Sequence, residues 1–244
     1  MSYELCDLIF FIHVPKTAGS TVNHYLENKS NNGFSHCESF INQEEILRGR
    51  VDIVDWLSGH VNYEVARNAI EAITDRKIKF YSCMREPKEQ VISHFNWLIE
   101  IGYKSNEFFY SHPINIQNIS FEIRASDLNN KYSVMNILTK YRGLFLNSQA
   151  RTILGRNLTN DRNVIRKILS EYEFIGTNKS LDILINRVVG ENSASTIKKN
   201  VSTYHFDTSL FDDEEIDYFL KVHNGIDSLL YKLVGDIFNN LNSK

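Results

Sequence analysis

The chain has 244 residues, enough for one substantial core and a better fit to one domain (residues 1–244) than to two. It is 42% hydrophobic and 23% charged, an ordinary globular composition that excludes a disordered chain. Its 27 basic and 30 acidic side chains give a net charge of -3, so no basic excess points to nucleic acid.

The first element is an apolar run of β type, Leu8-Ile9-Phe10-Phe11-Ile12. A sharp turn follows at Pro15-Lys16-Thr17-Ala18-Gly19-Ser20-Thr21, and Val22 to Glu27 suits a helix. Lys29 to Gly33 is turn-rich, His36 to Asn42 fits no single pattern, and Gln43 to Gly49 fits a short helix. Val51 to Leu57 reads as a second strand ending in Ser58-Gly59-His60, followed by helical spacing over Tyr63 to Ile73. Ile78 to Met84 reads as a third strand that runs into Arg85-Glu86-Pro87. Val91, Ile92, Phe95, Trp97, Leu98 and Ile101 then mark a helix with Pro87 in its first turn.

Three strand–loop–helix alternations predict an α/β fold, a P-loop-like parallel sheet flanked by helices. In such sheets ligands bind beyond the carboxyl ends of the strands, so the Lys16 loop, His60 and Arg85 are expected on one rim. Residues 106 to 119 read as an irregular loop or short helices. Further helices are expected near 132–141, 149–154, 161–169 and 181–189, with a short strand at Phe174-Ile175-Gly176. Residues 197–203 form a basic loop. Residues 212–241 form a helical region with acidic residues at its start and possible interruptions at Gly225 and Gly235.

The three cysteines, Cys6, Cys37 and Cys83, are far apart and odd in number, so they fit neither a disulfide framework nor a C-x-x-C zinc pattern. Met1 to Glu4 lacks a basic leader, and no run approaches the ~18 apolar residues of a membrane span. The expectation is a soluble, cytoplasmic protein with no membrane or nucleic-acid partner. No Asp-x-Asp or His/Cys cluster has ligand spacing, so no metal is expected.

Strand, tight loop with a lysine, then helix is a way to build an anion site from backbone amides and a helix N-terminus. A nucleotide P-loop places its lysine after the second glycine. Here Lys16 comes first and the earlier glycine is missing, which fits that template poorly. A simple N-cap turn is the plainer alternative. Arg85 is otherwise a surface ion-pair partner of Glu86 or Glu89, and Ser93 a helix residue bonded to its own backbone.

The blocks FFIHVPKTAGST, SGHV and CMREPKEQVISHFNW resemble the sulfotransferase family that includes the uronyl and heparan sulfate 2-O-sulfotransferases. Weaker blocks follow in the family's order: NSQARTILG (Asn147 to Gly155), YEFIGTNKSLD and KKNVS. The resemblance implies a sulfotransferase fold, 3′-phosphoadenosine 5′-phosphosulfate (PAPS) as donor, its desulfated product PAP, and an acceptor hydroxyl on a carbohydrate. It assigns Pro15 to Thr21 to the 5′-phosphosulfate, Arg85 and Ser93 to the 3′-phosphate, and Lys198 and Lys199 to the donor's phosphates. His60 becomes the general base and Lys16 the group that stabilises charge on the leaving phosphate. Ser58 stands where some members carry a first histidine. Two other readings stay open, a small-molecule or nucleotide kinase and a non-catalytic nucleotide-binding module.

Overall fold

The computed structural model describes residues 7–190 and 203–239. These form two compact units: residues 7–85, 149–190 and 229–239 make the first, and residues 86–148 and 203–228 the second.

The first unit is a five-stranded parallel sheet flanked by helices. In chain order it starts with β1 (Leu8–Ile12), α1 (Gly19–Lys29), β2 (Gly33–Phe34), α2 (Glu44–Val51), β3 (Trp56–Gly59), α3 (Tyr63–Glu71) and β4 (Ile78–Met84). The strand order is β2-β3-β1-β4-β5, with β5 at Tyr172–Thr177 and every pairing parallel. β1 lies at the centre, with Phe10 opposite Leu57 on one side and Phe80 on the other. Its Leu8, Phe10, Phe11 and Ile12 are fully buried, which is why it reads as an unbroken apolar run.

The strand expected over Val51–Leu57 starts later. Val51 closes α2, and β3 begins at Trp56. The apolar residues at 51 and 54 are buried, but one ends α2 and the other follows the turn after it, and their carbonyls accept from the Arg76 guanidinium rather than from a neighbouring strand. The two-residue β2 has too little sequence to betray itself.

The second unit is helical: α4 (Pro87–Glu100), α5 (Asn106–Tyr110), α6 (Ile114–Ala125), α7 (Lys131–Lys140) and α8 (Arg142–Phe145). Phe95, Phe145 and Phe211 are fully buried at its core, with ring centroids 5.8 Å (Phe95–Phe145) and 6.0 Å (Phe95–Phe211) apart. Residues 106–119, expected as an irregular loop or short helices, hold α5 and the first half of α6, which runs on to Ala125. Its buried face mixes Gln117 and Ser120 with Ile119 and Ile123, so the apolar period is masked.

The chain continues through α9 (Ser148–Leu154), α10 (Arg162–Leu169) and α11 (Leu181–Val189) to α12 (Glu214–His223) and α13 (Gly225–Val234). Gly225 does mark a break, and a π-helical turn follows from Gly235. Lys198 and Lys199 lie outside the described residues.

The start of α13 is capped from a distance. Asn147 adopts a left-handed φ of 52° and its Oδ1 accepts from the backbone N–H groups of Ile226 (3.0 Å) and Asp227 (3.1 Å). Its Nδ2 donates to the His223 carbonyl at 2.8 Å. One side chain thus satisfies the end of α12 and the beginning of α13. Asn147→Ala is expected to lower unfolding free energy by about 1–2 kcal/mol, since it removes a cap and strains the left-handed position. Urea denaturation of both proteins checks this.

Candidate functional site

Parallel pairing puts the carboxyl ends of all five strands on one edge of the first unit. The Pro15–Ala18 loop follows β1, His60 follows β3 and Arg85 follows β4. The chain leaves β1 towards β2 on one side and leaves β4 towards β5 on the other, so the switch point of the sheet lies between β1 and β4. Lys16 and Arg85 flank that point in sequence.

The loop after β1 is unusual in its backbone. Lys16 (φ 65°) and Ala18 (φ 76°) are both left-handed, a conformation costly for residues with a Cβ. Ala18 supplies no side-chain cap to α1, whereas Asn62 caps α3 by accepting from Val65 N–H at 3.0 Å. Thr17 is fully buried and donates its hydroxyl to the Val14 carbonyl at 2.9 Å, so its side chain serves the loop itself. Ser20 is exposed in the first turn, while Thr21 N–H is used within the helix by the Ala18 carbonyl. Gly19 has a steric reason to be glycine: a Cβ there would stand 2.0 Å from the His13 ring.

The histidine after β3 is held on three sides. His13 N–H donates to the Gly59 carbonyl at 3.0 Å, extending the β1–β3 ladder. His60 Nδ1 lies 2.9 Å from the His13 carbonyl. A carbonyl only accepts, so Nδ1 carries the proton and Nε2 keeps its lone pair. The His60 N–H donates to Glu38 Oε2 at 2.9 Å. Gly59 permits this approach, because a Cβ would come within 2.6 Å of both Cys37 Sγ and Glu38 Oε2. The rings of His13 and His60 sit 4.1 Å apart, and those of His36 and His60 5.8 Å.

These groups border a cleft of about 250 Å³ lined by His13, Ser20, Asn23, Glu27, His36 and His60, among others. Although part of the His60 ring faces solvent, the protein packed round it lowers its pKa below 6.5, more than the Glu38 carboxylate and the His13 carbonyl raise it. Burial also holds His13 well below 6.5, helped by His60, His36 and Lys16. Burial raises the Glu38 carboxyl, but hydrogen bonds from its own N–H, His36 and the His60 N–H outweigh this and leave it below 4.5. His13 and His60 are therefore held neutral at neutral pH, and Glu38, which accepts the His60 N–H, is held ionised.

Arg85 is positioned through its backbone. Its N–H donates to Gln149 Oε1 and its carbonyl accepts from Gln149 Nε2, each at 2.9 Å. Gln149 is fully buried, so the end of β4 is bracketed by one amide. Ser93 lies in the second unit, buried on α4. The sequence brought Lys16, His60 and Arg85 to one edge. It did not single out His36, Glu38 or Gln149. The only local signal for the first two was the polar His-Cys-Glu triplet.

A buried neutral histidine destabilises a fold in acid, because the unfolded chain takes up protons at a higher pH than the folded one does. Stability is therefore expected to fall as pH drops below 6.5 towards the depressed pKa of His13, and to fall less steeply in His13→Gln. Urea unfolding at a series of pH values between about 7 and 5 checks the sign, since an unperturbed histidine titrates near 6.5.

No protein-family model matches the chain, and no curated protein matches it significantly. Among the described residues, no helix is long and apolar enough to cross a membrane.

Proposed function

We propose that the chain is a PAPS-dependent sulfotransferase that moves a sulfuryl group to an acceptor hydroxyl, of carbohydrate class by the family resemblance. The observation that carries this reading is the His60 imidazole, fixed through Nδ1 to the His13 carbonyl with Nε2 left as acceptor, in a cleft that also takes in Ser20 at the first turn of α1. A base with a fixed lone pair thus stands beside the mouth of a helix whose N-terminus has no side-chain cap.

The residues fit the donor's chemistry. An uncapped helix start preceded by a left-handed Lys16 and Ala18 supplies amide donors and a positive charge suited to a phosphosulfate. Arg85, with its backbone bracketed by Gln149, has the planar fork that suits the 3′-phosphate. PAPS supplies the sulfuryl group and a phosphate leaving group. As the acceptor oxygen bonds to sulfur, His60 Nε2 takes the hydroxyl proton, the bond from sulfur to the 5′-phosphate oxygen breaks, and Lys16 offsets the charge that collects there.

Calorimetric titration with PAP, ATP and GTP, with and without Mg²⁺, tests the reading. PAP is expected to bind without metal, and Arg85→Ala to weaken it by about tenfold or more, the loss of a charged bidentate contact. His60→Ala should bind PAP as the parent does and lose about 10²–10⁴-fold in turnover. Mg²⁺-dependent ATP binding with no PAP binding would overturn the reading in favour of a kinase.

A further inference from the structure

The sequence offers no metal-ligand spacing, yet the fold brings three candidate ligands together. Among the described residues, His36, Glu38 and His60 each present one ligand atom, and these atoms lie within 4.8 Å of one another. We propose that His36, Glu38 and His60 form a binding site for a divalent transition-metal ion of the zinc class, opening onto the cleft.

Two imidazole nitrogens and a carboxylate oxygen are a donor set that such ions take, in an arrangement that leaves open positions. Ligands about 2.0–2.1 Å from a tetrahedral ion sit ~3.3–3.4 Å from each other. His36 Nδ1 and Glu38 Oε1 are already 3.0 Å apart, joined by a proton that a cation would displace. His60 is oriented as metal-ligating histidines commonly are, with one ring nitrogen donating to a backbone carbonyl and the other left to ligate. Glu38 is likewise steadied, because its second oxygen accepts the His60 N–H.

The site has a consequence for the activity proposed above, and this part rests on that reading. Nε2 of His60 cannot hold a metal ion and take a proton at once. An occupied site therefore switches off the base, so free zinc would act as an inhibitor.

The test is a calorimetric titration of the full, untagged chain with Zn²⁺ in the absence of any nucleotide. One saturating ion per chain is expected, weakened about tenfold or more in His36→Ala and in Glu38→Gln, on the scale by which changes around metal ligands act. His112→Ala, a histidine of the second unit, should bind zinc as the parent does. Thermal melts of each variant establish that it is folded. No saturable binding by the parent, or equal binding by folded His36→Ala and Glu38→Gln, would overturn the proposal. Because no nucleotide is present, failure here leaves the PAP result standing, and failure of PAP binding leaves the metal site standing.

Discussion

The site depends on a short ladder that continues past the end of the sheet. His13 N–H meets the Gly59 carbonyl, and the His13 carbonyl in turn receives His60 Nδ1. Each bond is worth only about 1 kcal/mol net. Their value is directional. β1 lies at the centre of the sheet, paired on both sides and buried at four of its five residues, so the carbonyl that orients His60 directly follows a strand held from two directions. Glu38 fixes the same residue from the other side through its backbone N–H. The imidazole cannot turn over without breaking its bond to the His13 carbonyl.

The same geometry explains the glycines of the two loops. Gly19 leaves room for the His13 ring, and Gly59 leaves room for Cys37 and Glu38. In sequence both look like generic turn glycines. In the structure both are demanded by the packing of side chains around one histidine pair. The segment from Asn147 to Gly155 similarly turns out to carry scaffolding: Asn147 caps α13, and Gln149 brackets the backbone of Arg85.

Much of the sheet was legible because the central strand is buried and reads as an apolar run at Leu8–Ile12, while Ile78–Met84 keeps enough apolar and aromatic residues to read as a strand despite Lys79 and Ser82. Loops at strand ends then followed from chain order, which located Lys16, His60 and Arg85 together. What stayed hidden was of two kinds. Val51–Leu57 misled because a helix end with its turn and a strand can bury the same apolar residues; here the Ile53 and Val54 N–H groups bond back to the Arg50 carbonyl and the Val51 and Val54 carbonyls accept from Arg76. His36 and Glu38 were invisible because they stand more than twenty residues before His60, and a side chain over a glycine leaves no periodic trace. The role of Gln149 depends on a partner 64 residues away.

Both chemical uses drawn for the cleft, proton acceptance and metal ligation, require the lone pair on Nε2 of His60. The most direct test is the tautomer itself, read by two-dimensional ¹⁵N–¹H correlation of the histidine side chains at neutral pH, with His60 assigned by its absence in His60→Gln. The bond to the His13 carbonyl predicts a His60 ring protonated on Nδ1, with Nε2 in the unprotonated range. A ring protonated on Nε2 would contradict it, because the His13 carbonyl would then face a lone pair and the cleft would be offered a donor instead of a base.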